Sequence, residues 1–258
     1  MSGQHRGRIA TMVVLLTVIA ATAGGGLVFS LKAAPASSPR TDTSEFAGEW
    51  RPDATTASGR LKQIASFVQR RYVRPGTSNE QLADVSVRQL RAGDAPAKTF
   101  EIVHVSSTVP TEQVAASRTA VFSACGTNPD CSIPGSDTSL IGELAQRQAL
   151  ELALRAFRFD DTLDLVVVEM PGADSQLGRI NVFFRRADLA RALERPLRST
   201  LPLNPVPRSE YTNPTEKKSL ATLVVNVAFN ARTTAADRQH AFVLLPAAEL
   251  QAAQTTSG

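Results

Sequence analysis

The sequence contains few of the residues that most often carry out catalysis or bind metals. Its 258 residues include two cysteines, three histidines and one tryptophan. A structural zinc site needs four ligands, and beyond the cysteines the chain after its first ten residues offers only His104 and His240. Nucleophile elbows, phosphate-binding glycine loops and paired C-x-x-C motifs are also absent. We therefore predict no metal and no cofactor, and the sequence favours a non-catalytic protein.

A strong charge of one sign is also lacking. The net charge is +4, and residues 1–44 contribute three of these charges, so that residues 45–258 hold 24 basic and 23 acidic residues. Proteins that bind nucleic acid usually carry a pronounced basic surface. We therefore predict no nucleic-acid partner.

One long apolar run, Ile9–Leu31, contains no charged residue. As a helix, its 23 residues would extend roughly 35 Å, which is enough to cross a bilayer. Arg6 and Arg8 precede it, and the positive-inside rule places such residues in the cytoplasm. The run therefore predicts a signal-anchor over 9–31, a cytoplasmic head over 1–8 and everything that follows outside the cytoplasm.

A second interpretation of the same run is a cleaved signal peptide. Ala21-Thr22-Ala23 follows a short apolar core and fits the small-residue pattern of a cleavage site. Cleavage there would leave Gly24 as the new N-terminus and would make the protein secreted.

The two cysteines, Cys125 and Cys131, enclose the turn sequence Asn128-Pro129-Asp130. Outside the cytoplasm, cysteines brought together by a turn form a disulfide. The spacing differs from the C-x-x-C of redox proteins, although reactive thiols and a metal site remain as alternatives. We therefore predict a structural disulfide.

Composition and periodicity predict the organisation of the remaining chain. Residues 32–57 are rich in Ser, Thr, Pro and Ala, which is typical of a linker. We expect one domain over 58–250 and a disordered tail over 251–258. Apolar spacing predicts helices over 58–72, 110–124, 138–157 and 187–195, strands over 82–90, 99–105, 163–170, 180–184 and 241–245, and a helix or strand over 216–228. Because helices and strands do not alternate regularly, this pattern favours an α+β fold with a mainly antiparallel sheet.

The densest acidic cluster consists of Asp160, Asp161 and Asp164, with Glu169 nearby. Paired carboxylates perform acid–base chemistry or bind Ca²⁺, so an anchored or secreted hydrolase is one alternative function. However, Asp160 and Asp161 follow a predicted helix, where a turn is needed, and turn formation explains them without catalysis.

A basic stretch is the other candidate site. It could contact an anionic lipid, a cell-wall polymer or an acidic protein, or it could simply be a solvated surface. The arginines of this stretch are Arg179, Arg185, Arg186, Arg191, Arg195 and Arg198.

Together these features predict a membrane-anchored, extracytoplasmic, non-catalytic scaffold or interaction protein of a bacterial cell envelope, with a protein partner there. Arginine outnumbers lysine 23 to 5, which is typical of GC-rich bacterial genomes. In layout alone, the chain resembles single-pass assembly proteins of secretion and conjugation machines, which have a short basic head, one helix and a small outer domain.

Overall fold

The computed structural model describes residues 49–89, 91–92, 95–96, 98–104, 112–135, 138–170, 180–207, 213–224, 228–236 and 239–246. All of these residues belong to one compact unit. The predicted head, anchor and tail lie outside them, as do residues 32–48 of the predicted linker, so these domain boundaries stay predictions. Within the described ranges, no helix has both the length and the apolarity that a membrane span requires.

Helices and strands both contribute substantially to this unit. The helices are α1 (Ala57–Arg71), α2 (Thr138–Phe159), α3 (Ala190–Leu193), α4 (Leu197–Thr200) and α5 (Pro214–Val224). The strands of the first half are β1 (Asp84–Arg88), β2 (Arg91–Ala92), β3 (Ala95–Pro96), β4 (Thr99–His104), β5 (Glu112–Ala115) and β6 (Thr119–Cys125). The later strands are β7 (Leu165–Met170), β8 (Ile180–Arg185), β9 (Ala228–Ala236) and β10 (Gln239–Pro246).

The eight longer strands form one sheet in the order β1-β6-β7-β8-β9-β10-β4-β5, while β2 and β3 pair separately. Two neighbouring pairs of the large sheet, β6 with β7 and β10 with β4, are parallel, and the other five are antiparallel. The predicted mixed α+β fold with a mostly antiparallel sheet is therefore confirmed.

One face of the sheet is covered by helices. Thr56 begins α1, because its hydroxyl accepts a hydrogen bond from the amide of Gly59 at 3.1 Å and so satisfies one of the free N–H groups of the first turn. Longer and more apolar, α2 buries Leu144, Leu152 and Phe157 in the main core. The main core therefore lies between α1, α2 and strands β1, β6, β7 and β8.

A second, smaller core lies on the opposite face. There Ile102 of β4 packs with Val121, Val167 and Phe183 of β6, β7 and β8. In a flat sheet β4 would lie five strands from β6, about 24 Å away. The sheet must therefore curl until β4 covers the second face of its central strands, and this explains why every residue of β7 is buried.

The predicted helix over 110–124 is wrong. This segment forms β5, a single 3-10 turn (Ala116–Arg118) and β6. Pairing with β1 and β7 satisfies the backbone of β6, and five of its seven side chains are buried. The ambiguous segment 216–228 is also resolved: it is helical as α5 up to Val224, and β9 begins at Ala228.

Candidate functional site

The acidic cluster does not form a shared site. Asp160 accepts hydrogen bonds from the amide and hydroxyl of Thr162, at 3.1 and 2.6 Å, and therefore closes the turn after α2. Its carboxylate lies 3.5 Å from Arg60. Asp164 pairs with Arg118 at 2.5 Å, on the exposed surface.

The other two carboxylates lie in different surroundings. Glu169 is buried and accepts two hydrogen bonds from Arg88, at 2.6 and 2.9 Å, whereas Asp161 is exposed. The three paired carboxylates thus face arginines of three separate elements. Among the described residues, no group of three or more His, Cys, Asp or Glu side chains is arranged to hold a metal ion.

The arginines of the basic stretch 179–198 also lie in different surroundings. Arg179 lies outside the described residues. Arg186 serves the fold, because it donates to the carbonyl oxygens of Leu163, at 2.7 Å, and Asp160, and lies 5.0 Å from the ring of Phe157. Arg185 is half-buried, and the exposed arginines are Arg191, Arg195 and Arg198.

The predicted disulfide is present between Cys125 and Cys131, whose Cα atoms lie 4.5 Å apart. It closes the loop that follows β6, and the amide of Gly126 donates to the carbonyl of Cys131 at 2.8 Å within the same loop. The turn residue Asp130 accepts hydrogen bonds from Ser132, which lower the pKa of its carboxyl group. No thiol is free in the part of the chain that is described.

A buried network of charges joins three helices, and Arg147 of α2 lies at its centre with none of its side chain exposed. Its guanidinium donates to the hydroxyl of Tyr72 at 2.7 Å, to the carbonyl of Leu203 at 2.6 Å and to the carboxylate of Glu216 on α5. The Tyr72 hydroxyl in turn donates to Glu151 at 2.9 Å.

Glu151 extends this network towards the surface, because it also pairs with Arg155 at 2.9 Å and with Arg71 at 3.1 Å. Burial, together with the neighbouring Glu151, raises the pKa of Tyr72 well above its usual value, so this hydroxyl is neutral at physiological pH. Burial alone would lower the pKa of Arg147, but Tyr72, Glu216 and Glu151 together raise it. The network therefore joins α1, α2 and α5, because its charged side chains come from all three helices.

Residues 49–56 form an irregular segment, here called the strap, that packs along α1. Trp50 stacks on Phe67 with ring centroids 4.1 Å apart. The side-chain oxygen of Gln63 accepts from the amides of Asp53 and Ala54, at 2.9 and 3.0 Å. The strap falls within the predicted linker, but these contacts attach it to the domain.

The start of the strap is fixed from another side. Glu49 accepts a hydrogen bond from the amide of Leu197 at 2.7 Å and another from Arg158 at 2.5 Å. The strap is therefore attached both to α1 and to the segment around α4.

An open groove of about 410 Å³ lies between the strap and α1. The strap contributes Trp50, Arg51 and Asp53, and α1 contributes Lys62, Gln63, Ser66 and Arg70. Three of these side chains are cationic and one is anionic, and the anionic one, Asp53, accepts a hydrogen bond from Gln63. The groove is therefore basic, with an indole in its wall.

Two of the groove's cations lack a carboxylate partner among the described residues. Lys62 makes no hydrogen bond or ion pair there, and Arg70 donates only to the hydroxyl of Ser66, at 2.6 Å. By contrast, eight arginines elsewhere are paired with carboxylates: Arg60, Arg71, Arg74, Arg88, Arg118, Arg147, Arg155 and Arg158.

The groove was not predicted from the sequence. The signal within α1 was the spacing of Lys62, Ser66 and Arg70, four residues apart, which places them on one side of a helix. The opposite wall had no comparable signal, because the strap resembles a linker in composition and its position depends on contacts with α1.

Comparison with known proteins finds no match to this chain among protein families, curated proteins or solved structures.

Proposed function

We propose that this chain is a membrane-anchored, extracytoplasmic, non-catalytic interaction protein of a bacterial cell envelope. The observation that carries the proposal is the separation of the acidic cluster, since Asp160, Asp164 and Glu169 each pair with a different arginine. A hydrolase that works through paired carboxylates needs two carboxyl groups that face one substrate bond. The Cys125–Cys131 disulfide supports the oxidising compartment that an anchor over 9–31 implies.

Fractionation of cells that express the full chain tests the location. We expect the protein to stay in the membrane pellet after an alkaline carbonate wash and to be digested when protease is added to spheroplasts. A soluble external protein whose N-terminus is Gly24 would contradict the anchor and would favour the secreted alternative.

Complementation of a deletion strain tests the non-catalytic part of the proposal. We expect the double variant Asp161→Asn/Asp164→Asn to restore function fully, because neither carboxylate is buried or supports the core. Loss of function in a variant that is exported and folded normally would favour the hydrolase. Partners in the envelope would be sought by crosslinking in the native membrane.

The other alternative, binding of anionic lipid or cell-wall polymer through the 179–198 face, rests on fewer residues than the sequence suggested. Arg186 is used within the fold, which leaves Arg191, Arg195 and Arg198 as the exposed arginines among the described residues of this face. Charge reversal of Arg191 and Arg195 tests this alternative, which predicts lost retention on anionic liposomes.

A further inference from the structure

We propose that the groove between the strap and α1 binds the phosphate headgroups of anionic phospholipids in the membrane that anchors the chain. This inference rests on the proposed anchoring, and it assigns a site to the protein's contact with the membrane surface. The starting observation is the contrast in charge pairing: Lys62 and Arg70 lack carboxylate partners among the described residues, whereas most arginines around them have one.

The arrangement of the cations suits phosphate groups. Lys62 and Arg70 are two helical turns apart, so their Cα atoms are separated by roughly 12 Å along α1. Arg51 projects from the opposite wall. An arginine fork binds phosphate with two parallel hydrogen bonds, while a lysine acts as a mobile point charge. Lys62 and Arg70 therefore offer positive charge at the two ends of one helix face.

The openness of the groove and its indole point to a membrane surface. A closed pocket would enclose a small molecule, whereas this groove is open to solvent and is lined by Trp50. Tryptophan is enriched where proteins meet the headgroup region. Basic residues close to an anchor are attracted to anionic headgroups.

The length of the connecting chain permits this contact. Eighteen peptide units separate Leu31, the end of the predicted span, from Glu49 at the start of the strap. Fully extended they reach about 60 Å. The groove can therefore lie against the same bilayer.

Trp50 is the only tryptophan of the chain and lines the groove, so its fluorescence reports on this site directly. The full chain is reconstituted into nanodiscs of phosphatidylcholine alone or with increasing phosphatidylglycerol. We expect phosphatidylglycerol to shift the Trp50 emission in a salt-dependent manner. The double variant Lys62→Glu/Arg70→Glu should need about tenfold more phosphatidylglycerol for half of the shift.

The matched control is Lys98→Glu/Lys218→Glu, which reverses two exposed lysines outside both the groove and the 179–198 face and should leave the shift unchanged. Equal emission with and without phosphatidylglycerol, or an undiminished shift in the groove variant, would overturn the proposal. A shift produced by inorganic phosphate in neutral nanodiscs, with no further change on adding phosphatidylglycerol, would replace the lipid with a soluble phosphate ligand.

Flotation separates this proposal from the anchor. Flotation of the full chain with neutral vesicles reports the anchor alone, since those vesicles offer the groove no net negative charge. A chain that fails to float with neutral vesicles lacks the anchor, and flotation with phosphatidylglycerol vesicles then measures the groove by itself. A chain that also fails to float with the phosphatidylglycerol vesicles would reject the headgroup site.

Discussion

At the scale of single residues, the buried charges show how burial and pairing act together. A fully buried guanidinium is costly unless its hydrogen bonds are satisfied. Arg147 donates hydrogen bonds to three separate parts of the chain, at Tyr72, Leu203 and Glu216. These partners could not be predicted, because an arginine four residues from a glutamate in a helix is typical of an exposed surface. Only the folded chain brings Glu216 and Tyr72 to it.

Tyr72 makes the stability of the protein sensitive to alkaline pH. Its pKa is raised by burial and by Glu151, so above about pH 10 the unfolded chain loses this proton while the folded protein keeps it. The folded state then binds more protons, and the free energy of unfolding must fall as the pH rises further. We expect Tyr72→Phe to weaken this fall, and to cost about 1–3 kcal/mol at neutral pH, where Glu151 and Arg147 lose a hydrogen-bond partner.

Urea unfolding at pH values from 7 to 11 measures this effect. Tyr211→Phe, at the chain's other tyrosine, provides the reference for a general tyrosine contribution. Identical alkaline slopes for Tyr72→Phe and the unaltered protein would show that Tyr72 is not the group responsible.

At the scale of elements, the loop after β6 depends on close backbone contact. Gly126 lies inside the loop that the disulfide closes, and Ser132 directly follows that loop. A Cβ atom at Gly126 would lie 2.1 Å from the carbonyl oxygen of Ser132. Gly142, within α2, has no atom within 4 Å of the corresponding position. The backbone therefore leaves no room for a side chain at Gly126, whereas Gly142 has room for one.

We expect Gly126→Ala to destabilise the protein by several kcal/mol, since either the loop or the end of β6 must move. Gly142→Ala should stabilise it by about 0.5–1 kcal/mol, because alanine favours the helix more than glycine does. Thermal unfolding of both variants, oxidised and after reduction of the disulfide, provides the comparison. A Gly126→Ala protein as stable as the original would contradict the loop geometry.

Elements with a strong local signal were predictable, and those defined by distant pairing were not. The predicted helix over 138–157 corresponds to α2, because Ile141, Leu144 and Leu152 repeat at helical spacing. In β6 the mostly apolar segment Ala120–Ala124 fits a helix or a strand locally. Its pairing with β7, which follows α2 in sequence, decides for the strand.

At the scale of the whole molecule, the curl of the sheet has a measurable consequence. Ile102 belongs to the last strand but one, yet it is fully buried against β6, β7 and β8. We expect Ile102→Ala to cost about 2–5 kcal/mol, as much as Leu152→Ala in the main core. Chemical denaturation of both variants measures this, and a loss well below 1 kcal/mol for Ile102→Ala would indicate a flat sheet.

The curl itself could not be predicted from the sequence. Alternating and continuous apolar strands indicate that a sheet is buried on one or both faces, and the apolar run of β7 indicates two buried faces. The residues of β4 do not indicate that this strand, rather than a helix, covers the second face of the central strands. The groove could not be predicted for a similar reason. The position of Trp50 depends on its stacking against Phe67, which forms only in the folded protein.

The parallel pairing of β4 with β10 also determines when the domain can fold. Ile102 lies opposite Phe242, a partner more than half of the chain away in sequence. The ribosome must therefore have synthesised the chain through β10 before β4 can pair with it, and such distant contacts slow folding because a large loop must be closed first. We therefore expect the second core to stay open during synthesis until β10 has emerged, even after the main core has closed.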